Sequence, residues 1–548
     1  MNKKHYGVFI LALMMLMPLA AFGQANVLRL LPYTVSAKFL NQQIIDDSIA
    51  NGQIVPNRVY ELQRGGLYLV SSLVRNYNWH LVIKANDSAT TAKPVIFLYP
   101  NATTGLPPGQ MVDIRGDFTL KNVILSGYYE PVDSNLKNLQ GSLFNTGASG
   151  KNITIDSCIL TSTNGNHIRT DQAPKNVVVT NTIFADMGYL GRSNLGAGKG
   201  IDVRAGSVDS LVLQNCTFVN WQDRIIRHFS STASIKYLVF DHNTVVNGGG
   251  YDGLLSLGKM GVKATITNNL LLDPFGFGND TDATRQAEFT DSGEKDGFGG
   301  ARMTWVISSP NDSTQWVVKN NYYGISDSNA AFYARHASKG VTGEGSPLTW
   351  HINRKLGADS VNAFKKISLT MKKIPKQMTA LMDWYRDVNG GNKTKNTPTS
   401  KWNSSFDFDR KGYRYWRDTL NASFNSSVNL SAAGTDGKVI GDTRWSYLGP
   451  TNVATTNDFV PGVFSLDQNY PNPFNPSTTI KYQVPVNGLV TLKVYNLIGQ
   501  EVATVVNEVQ SASGYEASFD ASKLSSGIYF YTLRAGNFMQ TKKMMLLK

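Results

Sequence analysis

Leu211-Val-Leu-Gln-Asn215-Cys-Thr-Phe218 returns, 27 residues on, as Leu238-Val-Phe-Asp-His242-Asn-Thr-Val245 and, 26 further, as Ala264-Thr-Ile-Thr-Asn268-Asn-Leu-Leu271. Each unit has alternating apolar residues, a polar pair often ending in Asn, and a second short apolar run. Working outward, the unit recurs as Phe118-Thr-Leu-Lys-Asn-Val-Ile-Leu, Ile153-Thr-Ile-Asp-Ser-Cys-Ile-Leu, Val177-Val-Val-Thr-Asn-Thr-Ile-Phe and Trp316-Val-Val-Lys-Asn-Asn-Tyr-Tyr. Its fifth position falls at 122, 157, 181, 215, 242, 268 and 320. Alternation is the mark of strands, and Asn tolerates the left-handed backbone of a sharp turn between them. A unit of this size cannot bury its own apolar face, so such units stack. The reading is all-β: a right-handed parallel β-helix over residues 24–336, with intervals of 24–27 residues for plain coils and 34–52 for coils carrying loops.

Cys158 and Cys216 share one repeat position two coils apart, about 9–10 Å by strand spacing. That is too far for a disulfide, and both are read as inward core residues. Val35 to Ala50 has helical spacing and suits a cap over the open end. Met371 to Val388 is predicted helical. Residues 337–450 are read as a partly helical, basic C-terminal extension, and 451–463 as a linker.

The net charge of +13 is unevenly spread. Residues 24–336 hold 26 Lys/Arg against 25 Asp/Glu, whereas 337–463 hold 18 against 10. The repeat region is therefore almost neutral, which argues against nucleic acid as a partner. A basic face for acidic glycan or an anionic surface competes with an ordinary solvated surface. Lys3 and Lys4, the apolar run Val8 to Leu19 and Ala21-Phe22-Gly23 read as a signal peptide over 1–23. The run is short for a membrane span of about 20 residues, and no transmembrane segment is expected after cleavage.

Residues 464–548 carry a different pattern. Phe464-Ser-Leu-Asp-Gln-Asn-Tyr-Pro-Asn-Pro-Phe-Asn-Pro-Ser-Thr-Thr-Ile480, Leu492-Lys-Val-Tyr-Asn-Leu-Ile-Gly-Gln-Glu-Val502 and Leu524-Ser-Ser-Gly-Ile-Tyr-Phe-Tyr-Thr-Leu533 resemble the opening, middle and penultimate strands of type IX secretion C-terminal sorting domains. The resemblance implies a small immunoglobulin-like β-sandwich read by outer-membrane export machinery, and a protein released from the cell or attached to its surface. A carbohydrate-binding sandwich is the competing reading. Gly434-Thr-Asp-Gly-Lys-Val-Ile-Gly-Asp-Thr-Arg-Trp445 resembles the closing segment of several secreted bacterial β-helix proteins.

The coil pattern resembles pectin-lyase-like proteins, including polysaccharide lyases, although fold analogy alone assigns no activity. Ile168-Arg-Thr-Asp171, Ile201-Asp-Val-Arg204 and Ile225-Ile-Arg-His228 precede Asn-bearing strands in successive coils, so their charged residues are expected to stack on the outside. A uronate lyase must neutralise a carboxylate and remove the neighbouring proton. On that chemistry Lys199 or His228 would be the base, and Arg204 and Arg227 would hold the carboxylate. His167, Arg169, Asp202 and Arg224 would bind substrate, with Trp221 and Tyr189 as stacking platforms in adjoining loops. Arg and Asp on neighbouring rungs also pair simply with each other. Asp280, Asp282, Glu288, Asp291, Glu294 and Asp296 lie in a Gly-rich loop that could hold Ca²⁺ through oxygen ligands, or be plainly solvated. No other cofactor is expected. The leading expectation is a monomeric, secreted lyase of acidic polysaccharide, and its rival is a non-catalytic glycan-binding or scaffold β-helix. Pairing of every arginine in the patch with an aspartate would favour the rival.

Overall fold

A computed structural model describes residues 26–50, 55–87, 91–103, 105–128, 141–188, 194, 196–228, 230, 232–281, 283–288, 303–339, 347–375, 377–386, 394, 396–397, 420–450, 464–484, 488–510, 513–536 and 538–547. The chain divides into two compact units after Thr451. The first is a parallel β-helix-like solenoid. Its chain passes in turn through three parallel ladders.

The first ladder begins at Asn26–Leu30 and continues through Phe118–Lys121, Asn152–Asp156, Asn176–Thr180 and Ser234–Asp241 to Gln315–Lys319. The second runs from Leu67–Val70 through Ile183–Met187, Thr217–Trp221 and Thr244–Gly248 to Phe364–Lys366. The third runs from Val74–Arg75 through Asn166–Thr170, Lys199–Val203 and Arg224–His228 to Val306–Ser309. The last rung of the second ladder lies beyond residue 336, so the extension completes the stack.

The turn between first and second ladders sits where the repeat places it. Asn122, Ser157, Asn181, Asn215, His242, Asn268 and Asn320 all have φ between 51° and 59°. Asn215 Nδ2 donates to Asn181 Oδ1 at 2.6 Å, and Asn181 Nδ2 to Asp156 Oδ1 at 2.7 Å. Five residues later a second left-handed column appears at Ser162, Asp186, Asn220, Asn247 and Asp273, with φ of 51–60°. The sequence signal was present, an Asn, Asp or Ser at a constant offset. It was missed because at Ser162, Asp186, Asn220 and Asn247 it lies inside a second-ladder strand and so marks no strand boundary.

Inward residues stack by register. Leu160, Phe184, Phe218, Val245 and Leu271 form one column, with the Phe184 and Phe218 rings 4.8 Å apart. Cys158 and Cys216 are buried and unbridged, and burial pushes both thiols up to about 12. The predicted N-terminal helix is two, Tyr33–Ser36 and Leu40–Ala50, broken at Ala37 with φ 53°. Leu40 and Ile44 of the second helix close the core. The helix expected over 371–388 is shorter, Thr379–Arg386, because Pro375 and the strand Leu369–Lys373 precede it. Among the described residues no helix is long and apolar enough to cross a membrane.

The closing segment lies across the Asn turns as a strap. Asn320 Nδ2 donates to Ala433 O at 3.0 Å, and Thr435 N–H to Asn268 Oδ1 at 3.0 Å. His242 Nε2 is 3.3 Å from Asp436 Oδ1. Thr443 N–H donates to Asn215 Oδ1 at 2.6 Å, and Arg444 Nη1 to Asn181 O at 3.0 Å. Five successive turns are thus held by one stretch of chain.

Asp273 is the costly member of the second turn column. Burial pushes its carboxyl up to about 6, although Ser326 donates to it through both Oγ and N–H. A carboxyl raised in the folded state stabilises fully below its unfolded value near 4 and loses that contribution as pH rises through about 6. The full span is about 3 kcal/mol at 1.36 kcal/mol per pH unit. Asp273→Asn suits the left-handed backbone. It should raise stability at pH 7.5 by about 1–3 kcal/mol and flatten the pH 4–6 limb of a denaturation series.

The second unit has a three-stranded antiparallel sheet (Ser465–Leu466, Ser477–Val484, Ser513–Asp520) and a four-stranded one (Glu501–Gln510, Gly488–Tyr495, Gly527–Ala535, Phe538–Leu546). Ile480, Tyr482, Leu492, Val494, Leu533 and Met544 share one core between them.

Candidate functional site

The third ladder brings the charged residues together, in two layers. Asp113, Asn145, Arg169, Asp202 and Arg227 follow one another in register, with Arg75 before them. Arg115, Asp171 and Arg204 stand two residues after Asp113, Arg169 and Asp202, each immediately beyond the end of its strand. Asp113 is 2.7 Å from Arg75 and 2.8 Å from Arg115. Asp202 is 3.2 Å from Arg227 and 3.6 Å from Arg204, and Arg169 is 2.8 Å from Asp171. Burial pushes the Asp171 carboxyl up, but the bonds from Arg169 and Asn145 outweigh it and hold it below its ordinary value.

Asp113 and Asp202 are buried at the base of the strip while arginines lie over them. The Arg204 side chain is 43% exposed against 2% for Asp202, and Arg115 42% against 6% for Asp113. Five guanidinium groups meet three carboxylates, leaving this strip with a charge of +2. By the strand spacing of about 4.8 Å the strip is about 24 Å long from Arg75 to Arg227.

The other proposed site residues lie beneath the surface. Lys199 and Arg224 are in register, but both are buried around Asp223, at 2.8 and 3.0 Å. Arg224 also pairs with Asp252 and donates to Ser256 Oγ at 2.8 Å. Burial pushes the Asp223 carboxyl up, but Arg224 and then Lys199 outweigh it and hold it below its ordinary value. Asp202 shares the outward phase of Arg169 and Arg227, whereas Lys199 and Arg224, three residues before Asp202 and Arg227, fall in the other phase of the alternation, that of inward Ile201 and Ile226. His228 is 2% exposed, its Nδ1 lies 2.9 Å from Leu257 O, and burial lowers its pKa. His167 is fully buried against the Phe184 ring, and burial lowers it to about 3. Both histidines are therefore neutral core groups near neutral pH.

Trp221 was expected in a loop. It ends a strand of the second ladder and is 0% exposed, so its ring offers no platform to a sugar. Its rung neighbour is Gly248, where a Cβ would stand 2.0 Å from Trp221 Cζ2. The indole occupies the space a side chain would need. Tyr189 lies outside the described residues, as do Asp282, Asp291, Glu294 and Asp296. Of the remaining acidic residues, Asp280 is buried against Arg386 and Glu288 ends the short helix Ala283–Glu288. Among the described residues no group of three His, Cys, Asp or Glu could hold a metal ion.

Tyr77 was missed by the sequence reading. It is 59% exposed at the start of the strip, with the Arg75 guanidinium 5.6 Å from its ring centre. An exposed aromatic two residues beyond a strand arginine was the available signal.

No curated protein matches the chain. Residues 468–547 match the secretion system C-terminal sorting domain family. The chain therefore carries a type IX secretion C-terminal sorting domain, which directs it out of the cell, to the surface or beyond.

Proposed function

We propose that the solenoid is an exported, non-catalytic binder of acidic glycan, holding its ligand along the third-ladder strip. In this reading the signal peptide over 1–23 and the sorting domain export the chain. The coil is right-handed, the hand taken by nearly all parallel crossovers, the sorting domain is an immunoglobulin-like sandwich, and the protein acts as a monomer. The observation that carries the reading is the layering of guanidinium groups over buried carboxylates. The aspartates fix the arginine side chains, and the exposed guanidinium groups of Arg115 and Arg204 face solvent, where carboxylate or sulfate would meet them. A strip about 24 Å long suits an extended polymer better than a single sugar.

Cleavage by β-elimination needs a base within reach of a sugar C–H. Lys199 is bound to Asp223 and 7% exposed, and His228 is buried, so neither supports the lyase reading.

Purified protein lacking the signal peptide would be titrated with alginate, pectate, chondroitin sulfate and heparin, and with a neutral glucan as control. At least one polyanion should bind, weakening as salt rises. The pair Arg169→Ala with Arg204→Ala should weaken that binding at least tenfold, about 1.4 kcal/mol. Absorbance near 235 nm is followed in the same samples, with and without Ca²⁺. A rise would show an unsaturated uronate and replace the binding reading by the lyase. Binding to none of the polymers would leave a scaffold.

A further inference from the structure

The sorting domain buries one apolar core, but Tyr470, Leu489 and Met539 are exposed singly and one hairpin tip exposes two large aliphatics side by side. Between the strands Gly488–Tyr495 and Glu501–Gln510, Leu497 and Ile498 are 67% and 76% exposed. The tip is braced. Asn496 Oδ1 accepts from the N–H of Ile498 at 3.1 Å and of Gln500 at 2.9 Å, and Asn496 Nδ2 donates to Gln500 Oε1 at 2.9 Å. Gly499 takes φ 79°, which a side chain there would strain. Polar residues would satisfy a solvent-facing turn equally well, so two adjacent large aliphatics held rigidly in water do nothing for the fold.

The same end of the sheet carries more apolar surface. Tyr495 is in register with Phe530, and Phe530 with Lys543, so beyond the tip-side end of that row lie Met545, paired with Ile528, and Leu547. Met545 and Leu547 are 37% and 51% exposed. They lie on the strand two positions from the tip hairpin, about 10 Å away by strand spacing. This terminal strand is the one Phe474 joins, its N–H donating to Met545 O at 2.9 Å, so the end is firmly built.

We infer that this end, with Leu497 and Ile498 at its apex, is the face by which the export machinery grips the domain, through an apolar pocket. The inference rests on the sorting-domain match, which supplies the occupant: a domain of this class is delivered to that machinery. A rigid tip loses little freedom on docking, which favours recognition of a folded domain over an extended peptide.

The test uses the full-length chain in a bacterium with type IX secretion, reading the ratio of extracellular to periplasmic protein. Leu497→Ser with Ile498→Ser should lower that ratio at least tenfold, while thermal unfolding of the protein recovered from the periplasm stays at the wild-type midpoint. Leu497→Gln with Ile498→Gln, which keeps side-chain length, should do the same and guards against a serine-specific folding defect. The control pair Leu489→Ser with Met539→Ser changes exposed apolar residues near the opposite end of the same sheet and should export normally. Normal export of the tip variants, or an equal loss in the control, overturns the assignment. A chain lacking residues 464–548 must remain in the periplasm. Its export would instead count against the sorting reading itself.

Discussion

Replacing Asp223 by alanine should cost about 3–5 kcal/mol of solenoid stability, the usual loss when one member of a buried ion pair is removed. Asp223 is wholly buried, and its carboxylate lies between Lys199 and Arg224, whose side chains are 7% and 3% exposed. Alanine would leave Lys199 without this carboxylate, while Arg224 keeps its pairing with Asp252 and its bond to Ser256. The cluster would then hold two buried cations and one carboxylate, that of Asp252, which pairs with Arg224. Asp223→Asn keeps some hydrogen bonds while losing the charge, and should fall between wild type and alanine. The measurement is the urea midpoint of the solenoid transition, followed separately from that of the sorting domain. A change below about 0.5 kcal/mol, the range of ordinary surface substitutions, would mean the cluster does not hold the rungs together. Because the Asp223 carboxyl is held below its ordinary value, its contribution is present above the unfolded pKa and fades as pH falls. The alanine variant should therefore lose less on acidification than wild type.

Asp442→Ala is the second large effect, expected at about 3 kcal/mol on the same grounds. The Asp442 side chain is wholly buried near the C-terminal end of the strap. Its Oδ2 accepts from Thr217 Oγ1 at 2.6 Å, its N–H donates to Thr244 Oγ1 at 2.9 Å, and its Oδ1 accepts from Arg444 Nε at 2.9 Å. Trp445 Nε1 shares the same threonine, donating to Thr217 Oγ1 at 2.8 Å. Alanine leaves the Thr217 hydroxyl without its acceptor and Arg444 without its carboxylate, though still bonded to Asn181 O, so the strap should detach locally before the solenoid unfolds. Limited proteolysis should then cut within 429–445 much faster than in wild type. Amide exchange should rise at Thr443 and Thr435, whose N–H groups bond Asn215 and Asn268. Unchanged proteolysis would show that the apolar contacts of Leu430 and Ile440 hold the segment alone.

The two cases mark where sequence reading stops. The turn asparagines were found because left-handed backbone is a local property that few side chains tolerate. The strap was recognised only as a closing segment. Its bonds join residues more than 100 positions apart, such as Asn320 with Ala433, and no periodicity encodes such a pairing.

The charged patch divides in the same way. Its assembly was legible, because Arg169, Asp202 and Arg227 hold one register position in successive coils and stacking follows from the repeat. Its layering was legible only in part. Alternation already sets His228, adjacent to Arg227 and in register with Val203, out of phase with Asp202, Arg204 and Arg227. What alternation does not show is that Lys199 and Arg224 close on Asp223, and Arg224 on Asp252 from another coil, as a buried ionic cluster beside the arginine surface. Trp221 shows the point for an apolar residue: its burial depends on Gly248 one rung away.

By itself the sequence determined the coil, its turns, the inward columns and the export domain, since each rests on short-range pattern: alternation, left-handed turns and motifs within one module. Only the tertiary structure decided which charged groups are buried together. Burial of a charge depends on long-range contacts whose desolvation cost must be matched by partners from other coils, and those partners are chosen by the fold as a whole.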